Sequence, residues 1–413
     1  HSNNGIDSTG LIQLFSNIFD LRNATSQVQS SGGDKNRLGA LCNDFGSGAF
    51  ESLGYNISAD SSCDLNMDTD LENTDPMLVE GEDGLPVPAA DSPAVDSGAA
   101  EALLFEGDEL ARLPCGYRDI TGLGRPQDAN GDGTYECDRG AVELPGAGEI
   151  MSGHSGAFFN PDRNREGTYV EILEGGQAVV YTFSYTPEGD GPSWFIGTGE
   201  IVGNSIVMDN LLRPIGSPFG DDYDANLVDL TPAGSMSMVW HDCDSAPYAG
   251  SVAYTGDAEL GYEGLMTRAH RITHVTGCGE ETPHENAGLS GAWFDPGRNF
   301  EGIIVEWLPN GDVVVMFYTY QPDGSQLWLF GQGTAEGKSV TMNVLYPTSF
   351  TPWGRDYDAN NVTLDSWGTF TLTWQDCNTM TFEYASTEPG FGSATRNYQR
   401  LSKLMDTSCP AFP

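Results

Sequence analysis

The chain has 413 residues, enough for two to four domains with cores of their own. Sixty acidic residues against 18 basic give a net charge of −42, a field that repels phosphate backbones and anionic lipid heads and so argues against nucleic acid and membrane-surface partners. An apolar content of 38% argues for folded domains, 52 glycines and 23 prolines imply many turns between short strands, and no run approaches the roughly 18 apolar residues of a membrane span.

Residues 1 to about 65 are rich in Asn, Ser and Gly, with short apolar stretches such as LIQLFSNIF and SLGYNIS that predict short strands between tight turns. Residues 66–112 are acidic and proline-rich, a loop-rich wrap with little core of its own. Residues 113–145 hold a Gly/Asp-rich loop, Asp128-Ala-Asn130-Gly-Asp132-Gly-Thr-Tyr-Glu136. Oxygen-bearing side chains at alternate positions, a glycine for the sharp turn and a later carboxylate predict calcium on Asp128, Asn130, Asp132 and Glu136. The carboxylate comes earlier than in an EF-hand, and the competing expectation is an acidic turn.

From residue 146 the chain is written twice. SGAFFNPDRNREG begins at Ser155 and SGAWFDPGRNFEG at Ser290, while Trp194 recurs as Trp328, Phe219 as Trp353, and Trp240/Cys243 as Trp374/Cys377. Runs such as GDVVVMFYTY, SQLWLFGQG and GTFTLTWQD have the β-branched and aromatic content of strands and are punctuated by hairpin signals such as PNGD and PDGS. The expected fold is all-β. Domains are expected at 1–145, 146–282 and 283–413, the last two being homologous antiparallel β-sandwiches or barrels.

Within the repeats, Asp222-Tyr-Asp224-Ala-Asn226 recurs as Asp356-Tyr-Asp358-Ala-Asn360. Its spacing predicts either a second type of cation site or a turn in which Asp bonds its own backbone. His270, His274 and Cys278 share a spacing that would suit zinc, but the second copy has no histidines there and the cysteine is wanted for a disulfide. Gly153-His154-Ser155-Gly156 only partly matches a nucleophile elbow and reads better as a strand entrance. Trp353, between Pro352 and Gly354, is the candidate for stacking on a glycan, with a packed loop anchor as the alternative because Phe219 fills its place in copy one.

The eight cysteines fall in local couples without C-x-x-C spacing: Cys42–Cys63, Cys115–Cys137, Cys243–Cys278 and Cys377–Cys409. Four disulfides are expected, and with them a secreted or surface-displayed protein. The first residue is His1, which is expected to reflect a removed export signal or a segment of a longer chain.

The elements Gly54-Tyr55-Asn56, Asp91-Ser92-Pro93, Asp96-Ser97-Gly98, Arg125-Pro126 and Cys137-Asp138-Arg139-Gly140-Ala141-Val142-Glu143 resemble the choice-of-anchor Q module, with Arg139 where the family has Ile. That module closes right-handed parallel β-helices in bacterial surface proteins of the CSLREA and polymorphic outer-membrane types. The resemblance implies that residues 1–145 are the terminal rungs and cap of such a helix. The duplicated half is similar to tandem β-rich modules, opening S-G-x-W/F, at the C-termini of secreted gammaproteobacterial proteins. The resulting expectation is a non-enzymatic structural or adhesive protein stiffened by calcium, whose partners are itself, other surface proteins or glycans. The rival expectation is a polysaccharide-acting β-helix enzyme with glycan-binding repeats; a further rival is a small-ligand carrier with open barrel lumens.

Overall fold

The computed structural model describes residues 12–14, 18–19, 50–81, 84–98, 118–146, 148–241, 243, 250–254, 259–277 and 282–412. The chain is all-β and divides into two compact units, 1–148 with 202–205, and 149–201 with 206–413. Both repeats belong to the second of these units.

The first unit contains β1 (Ile12–Leu14), β2 (Ile18–Phe19), β3 (Phe50–Ser52), β4 (Ile57–Ser58), β5 (Leu78–Glu80) and β6 (Pro86–Pro88). β1 pairs with β3 and β2 with β4, both parallel, and Ile57 bridges Leu71 in parallel; β5 and β6 form an antiparallel hairpin. Buried polar groups, more than apolar packing, organise the loops that follow. Asp138 accepts from the amides of Asp96 (2.8 Å) and Leu144 (2.7 Å), and Glu143 from those of Gln127 and Asp138 (both 2.9 Å). Arg125 lies 3.1 Å from Glu143, and Arg139 donates to the carbonyls of Asn56 and Thr69. Burial raises the carboxyls of Asp138 and Glu143, and Arg125 opposes the shift. Unpaired backbone amides here would each be costly, so the carboxylates do for these loops what a ladder does for a sheet.

In the second unit, repeat one supplies β7 (Gly156–Phe159), β8 (Gly167–Ile172), β9 (Gln177–Tyr185), β10 (Pro192–Val202), β11 (Ser205–Met208), β12 (Leu211–Ile215), β13 (Asp229–Pro232), β14 (Met236–Trp240), β15 (Gly250–Tyr254) and β16 (Leu265–Arg271). They form one sheet in the order β11-β14-β15-β16-β7-β8-β9-β10-β12-β13, and β11 also pairs with β10, which brings the sheet round on itself. Repeat two is a closed barrel of β17 (Gly291–Phe294), β18 (Gly302–Trp307), β19 (Asp312–Tyr320), β20 (Gln326–Thr334), β21 (Ser339–Ser349), β22 (Thr363–Trp374), β23 (Thr379–Ser386) and β24 (Ser393–Arg400), in sequence order. Of the two architectures open at the sequence level, the barrel is the one formed.

The near-continuous apolar run of β19 follows from burial on both faces. Val313, Val315 and Phe317 point into the second barrel, whereas Val314, Met316, Tyr318 and Tyr320 join Tyr169, Tyr181, Tyr185 and Trp194 of repeat one in a separate cluster between the barrels. Each barrel therefore has a filled interior, and a third core lies between them. The space beside Trp353 in the first barrel is about 40 Å³, against roughly 300 Å³ or more for a ligand site.

Cys377 and Cys409 form a disulfide with a Cα–Cα distance of 5.8 Å, as expected, tying the C-terminal segment to the β22–β23 turn. Cys63, Cys137 and Cys243 are each disulfide-bonded; their expected partners Cys42, Cys115 and Cys278 lie outside the described residues. Among the described residues no helix is long and apolar enough to cross a membrane.

Candidate functional site

The contact between the barrels is built by the motifs that both copies retain. The loop after β12 carries Phe219 into the core of the second barrel, where its ring meets Phe391 at 5.0 Å and Tyr384 at 5.4 Å. Conversely, the loop after β21 carries Trp353 into the core of the first, against Tyr254 at 5.0 Å and Tyr262 at 5.5 Å. Phe219 N donates to Gln321 O and Trp353 N to Thr186 O, both at 3.1 Å. The exchange is reciprocal. Gly220 and Gly354 follow the two plugs at φ 90° and 86°, a turn that L side chains resist.

The R-x-x-E of each opening motif clasps the plug loop of the other copy. Arg163 pairs with Glu166, donates to Gly354 O (2.8 Å) and stacks on Tyr357 at 4.2 Å. Arg298 pairs with Glu301, donates to Gly220 O (2.8 Å) and stacks on Tyr223 at 4.0 Å. Ser184 donates to Glu166 and Thr319 to Glu301, so each carboxylate is satisfied where it is buried.

Asp224 and Asp358 accept from the amides of Asn226 and Asn360 (2.9 Å each), closing the short turns Ala225–Leu227 and Ala359–Asn361. Asp222 and Asp356 end the neighbouring turns Gly220–Asp222 and Gly354–Asp356. Those turns hold Tyr223 and Tyr357 in place, whose hydroxyls donate to Asn299 O and Asn164 O. The repeated D-x-D-x-N is thus an Asx turn presenting a clasp tyrosine. In the 128–136 loop, Asp128 accepts from the amides of Asp132 and Gly133 (3.0 Å each), Asn130 from Asp132 N (2.8 Å), and Asp132 from Thr134 N (2.7 Å), while Glu136 lies across a bridge to Gln127. Among the described residues no group of three or more His, Cys, Asp or Glu side chains is gathered to hold a metal. That holds for His270 and His274 as well; Cys278 lies outside the described residues.

Trp353, expected on an open loop, is 6% exposed, with its indole N–H on Glu263 O at 3.0 Å. Rings surround it, and no face is left for a sugar. Ser155 likewise clasps: its hydroxyl accepts from Ile172 N (3.0 Å), as Ser290 does from Trp307 N (2.9 Å).

Two buried glutamates face one another across the contact. Glu171 Oε2 accepts from Ser402 of repeat two (2.9 Å), and Glu306 Oε2 from Tyr169 of repeat one (2.8 Å). Burial pushes Glu171 up to about 8, with Glu306 adding to the shift, and Glu306 up to about 7, with hydroxyls of Thr273 and Tyr169 opposing it. Glu171 Oε1 and the Tyr318 hydroxyl are buried without a hydrogen-bond partner.

Beside these groups a groove of about 410 Å³ opens between the barrels. Tyr181, Trp194, Ile196, Leu212, Pro214 and Leu230 of repeat one line one wall. Phe300, Ile304, Tyr318 and Leu401 of repeat two line the other, with Phe300 44% and Leu401 63% exposed at the mouth. Phe300 sits at φ 73°, strained for an aromatic residue, and the Tyr320 hydroxyl holds its carbonyl at 2.9 Å. Sequence reasoning missed this site, because no motif marks it. The signal lay in the positions where the copies differ: Ile196 against Phe330, Leu212 against Tyr346, Pro214 against Thr348, Phe300 against Arg165, Tyr181 against Met316 and Tyr318 against Phe183. No protein-family model matches this chain, and no curated protein matches it.

Proposed function

We propose that this chain belongs to a non-enzymatic extracellular binding protein of structural or adhesive role, in which the paired barrels hold a partner through the groove between them. The observation that carries the reading is the groove itself, an apolar cleft of ligand size between the barrels. Part of its lining, Tyr181, Ile196, Leu212, Pro214, Phe300 and Tyr318, differs between the copies, whereas Trp194, Leu230 and Glu301 are common to both. The parallel strand pairs of the first unit support a solenoid end of the β-helix type upstream of the barrels. Disulfide-bonded cysteines in both units support an oxidising, extracellular location.

The test uses beads coated with the purified chain. Adhesion to a hydrophobic surface should be lost when Ile196→Phe fills the groove with the side chain found at the equivalent position of repeat two. Equal adhesion by the variant would refute the groove as contact face. Release of reducing ends or unsaturated products from a polysaccharide panel would replace the reading with an enzymatic one.

A further inference from the structure

We infer that the contact between the barrels is a proton-held latch: it is closed while Glu171 and Glu306 carry protons, and alkali parts the barrels while each keeps its own fold. The inference concerns the contact itself and goes beyond the proposed function, whose failure would leave it standing.

Position is the first reason. In β8, Val170 and Ile172 point into the first barrel, so Glu171 points out of it. In β18, Val305 and Trp307 point into the second barrel, so Glu306 points out of that one. Yet the two glutamates are only 1% and 3% exposed, because each lies under the other repeat. Parting the barrels returns both carboxyls to water without disturbing either interior.

The second reason is the set of partners. The two glutamates occupy equivalent places in the copies, and so do the groups around them, Thr273 with Ser402 and Arg271 with Arg400. Ser402 gives its one hydroxyl proton to Glu171 and takes the Ala292 N–H (2.6 Å); Thr273 does the same between Glu306 and Ala157 N (2.8 Å). The arginines are held on carbonyls of their own repeats, Arg271 on Cys243 O (2.6 Å) and Arg400 on Gly288 O and Ser290 O. Tyr169 adds a donor to Glu306. Its equivalent is Ile304, so Glu171 has no such donor and its Oε1 is without a partner. Tyr181 of β9 and Tyr318 of β19 complete the surroundings with rings and no charge. Two ionised carboxylates so placed would face one another in a dry contact with too few donors, which is costlier than two carboxylic acids.

The titration of the pair agrees with this geometry. Burial pushes Glu171 up to about 8 and Glu306 up to about 7, against roughly 4.3 for a carboxyl returned to water. A group that binds its proton more tightly in the closed contact favours closure at low pH. That preference shrinks as pH rises above the open-state value and is gone beyond the closed-state one. From pH 6 to pH 9 the two carboxyls together should shift the equilibrium toward opening by about a hundredfold or more. Burial lowers Arg400 to about 10, so its charge persists over this range.

The test is hydrogen exchange of the full chain at pH 6 and pH 9, with disulfides intact, read as protection relative to free peptide so that the intrinsic pH dependence cancels. The amides of Phe219 and Trp353 report the contact, since they bond Gln321 O and Thr186 O across it. The ladders around Val170 and Val315 report the two barrels. The expected result is a loss of about a hundredfold or more in protection at Phe219 and Trp353, with the ladders remaining the better protected at pH 9. The double variant Glu171→Gln, Glu306→Gln should keep its contact protection unchanged between the two pH values. Wild-type contact amides whose protection does not change with pH overturn the inference. So does equal protection of contact and ladder amides at pH 9, which would mean that the barrels unfold with the contact, and so does a double variant with the wild-type pH dependence. The wild-type profile decides by itself if the double variant does not fold.

Discussion

Replacing Glu171 by Gln tests the contact between the barrels most directly, because the effect should change sign with pH. Burial pushes the Glu171 carboxyl up to about 8, against roughly 4.3 for a free glutamate. The groups that face it are Arg400 of β24 and Ser402 just beyond that strand, which oppose the shift, and Glu306 of β18, which adds to it; the rings of Tyr181 in β9 and Tyr318 in β19 lie nearby. A carboxyl whose folded pKa is raised holds its proton more tightly in the fold. Its contribution is therefore complete below the unfolded pKa and is lost as pH rises through the folded one. Each pH unit in that window removes about 1.4 kcal/mol, so Glu171 accounts for about 5 kcal/mol between roughly pH 4 and pH 8.

Glutamine cannot ionise and abolishes that slope. Its carbonyl still accepts from Ser402, but its amide nitrogen takes the place of Oε1, which has no partner. An unpaired buried donor costs about 1–3 kcal/mol. Glu171→Gln is thus expected to be less stable than the wild type near pH 4 and more stable, by about 2–4 kcal/mol, near pH 9. Urea unfolding at intervals across this range, with disulfides intact, gives the two curves, and an unchanged m-value shows that the unfolded states match. Curves that stay parallel would falsify the reasoning, because the carboxyl would then titrate alike in both states.

Phe219→Ala and Trp353→Ala should each cost about 3–5 kcal/mol, as core aromatics do and surface loop residues do not; urea titration distinguishes the two. Residues 283–413 expressed alone lack Phe219 and expose the face that holds Tyr318, so they should either fail to fold or form dimers that exchange the Trp353 loop, as sedimentation would reveal. Cutting the Cys377–Cys409 bridge by Cys409→Ser, which closes a span of 32 residues, should lower stability by about 3–4 kcal/mol. For the 128–136 loop, whose carboxylates already accept backbone amides, chelator should leave the melting temperature unchanged. A calcium-dependent rise lost in Asp132→Ala would support the cation reading instead.

The duplication, the hairpins and the Cys377–Cys409 bridge were legible because each is local or repeated at a fixed offset. Even the choice of barrel over sandwich has a trace in β19, where Val, Met, Phe and Tyr succeed one another without a polar alternate. What was not legible is which barrel each residue serves. Trp353 is coded in repeat two and buried in repeat one, and nothing in the register of the repeats tells an internal contact from a reciprocal one. Trp353 stood out as surplus for the same reason: counted within its own copy it has no core to join. Arg163 and Arg298 were hidden likewise, since an R-x-x-E reads as a local ion pair until Gly354 and Gly220 appear opposite it.

The reciprocal contact also explains how a groove could arise on one side. Two identical chains exchanging plugs about a twofold axis would have two equal clefts beside the glutamates, and any residue that lined one would line the other. Joining the copies in a single chain removes that constraint. Residues of the clasp must keep matching each other: Arg163 with Tyr357, Arg298 with Tyr223, and each plug with the barrel that receives it. Residues beside the clasp are free to diverge. At the equivalent positions the chain has Phe330 and Tyr346, whose side chains are larger, and Arg165, which reaches across to Ala359 O. On the groove side it has Ile196, Leu212 and Phe300, with Tyr181 and Tyr318 also in the lining. The positive φ of Phe300 belongs to the shared architecture, since Arg165 sits at φ 79° in the equivalent place and its carbonyl accepts from Tyr185 as that of Phe300 accepts from Tyr320; what is particular to this side is the apolar character of the side chains.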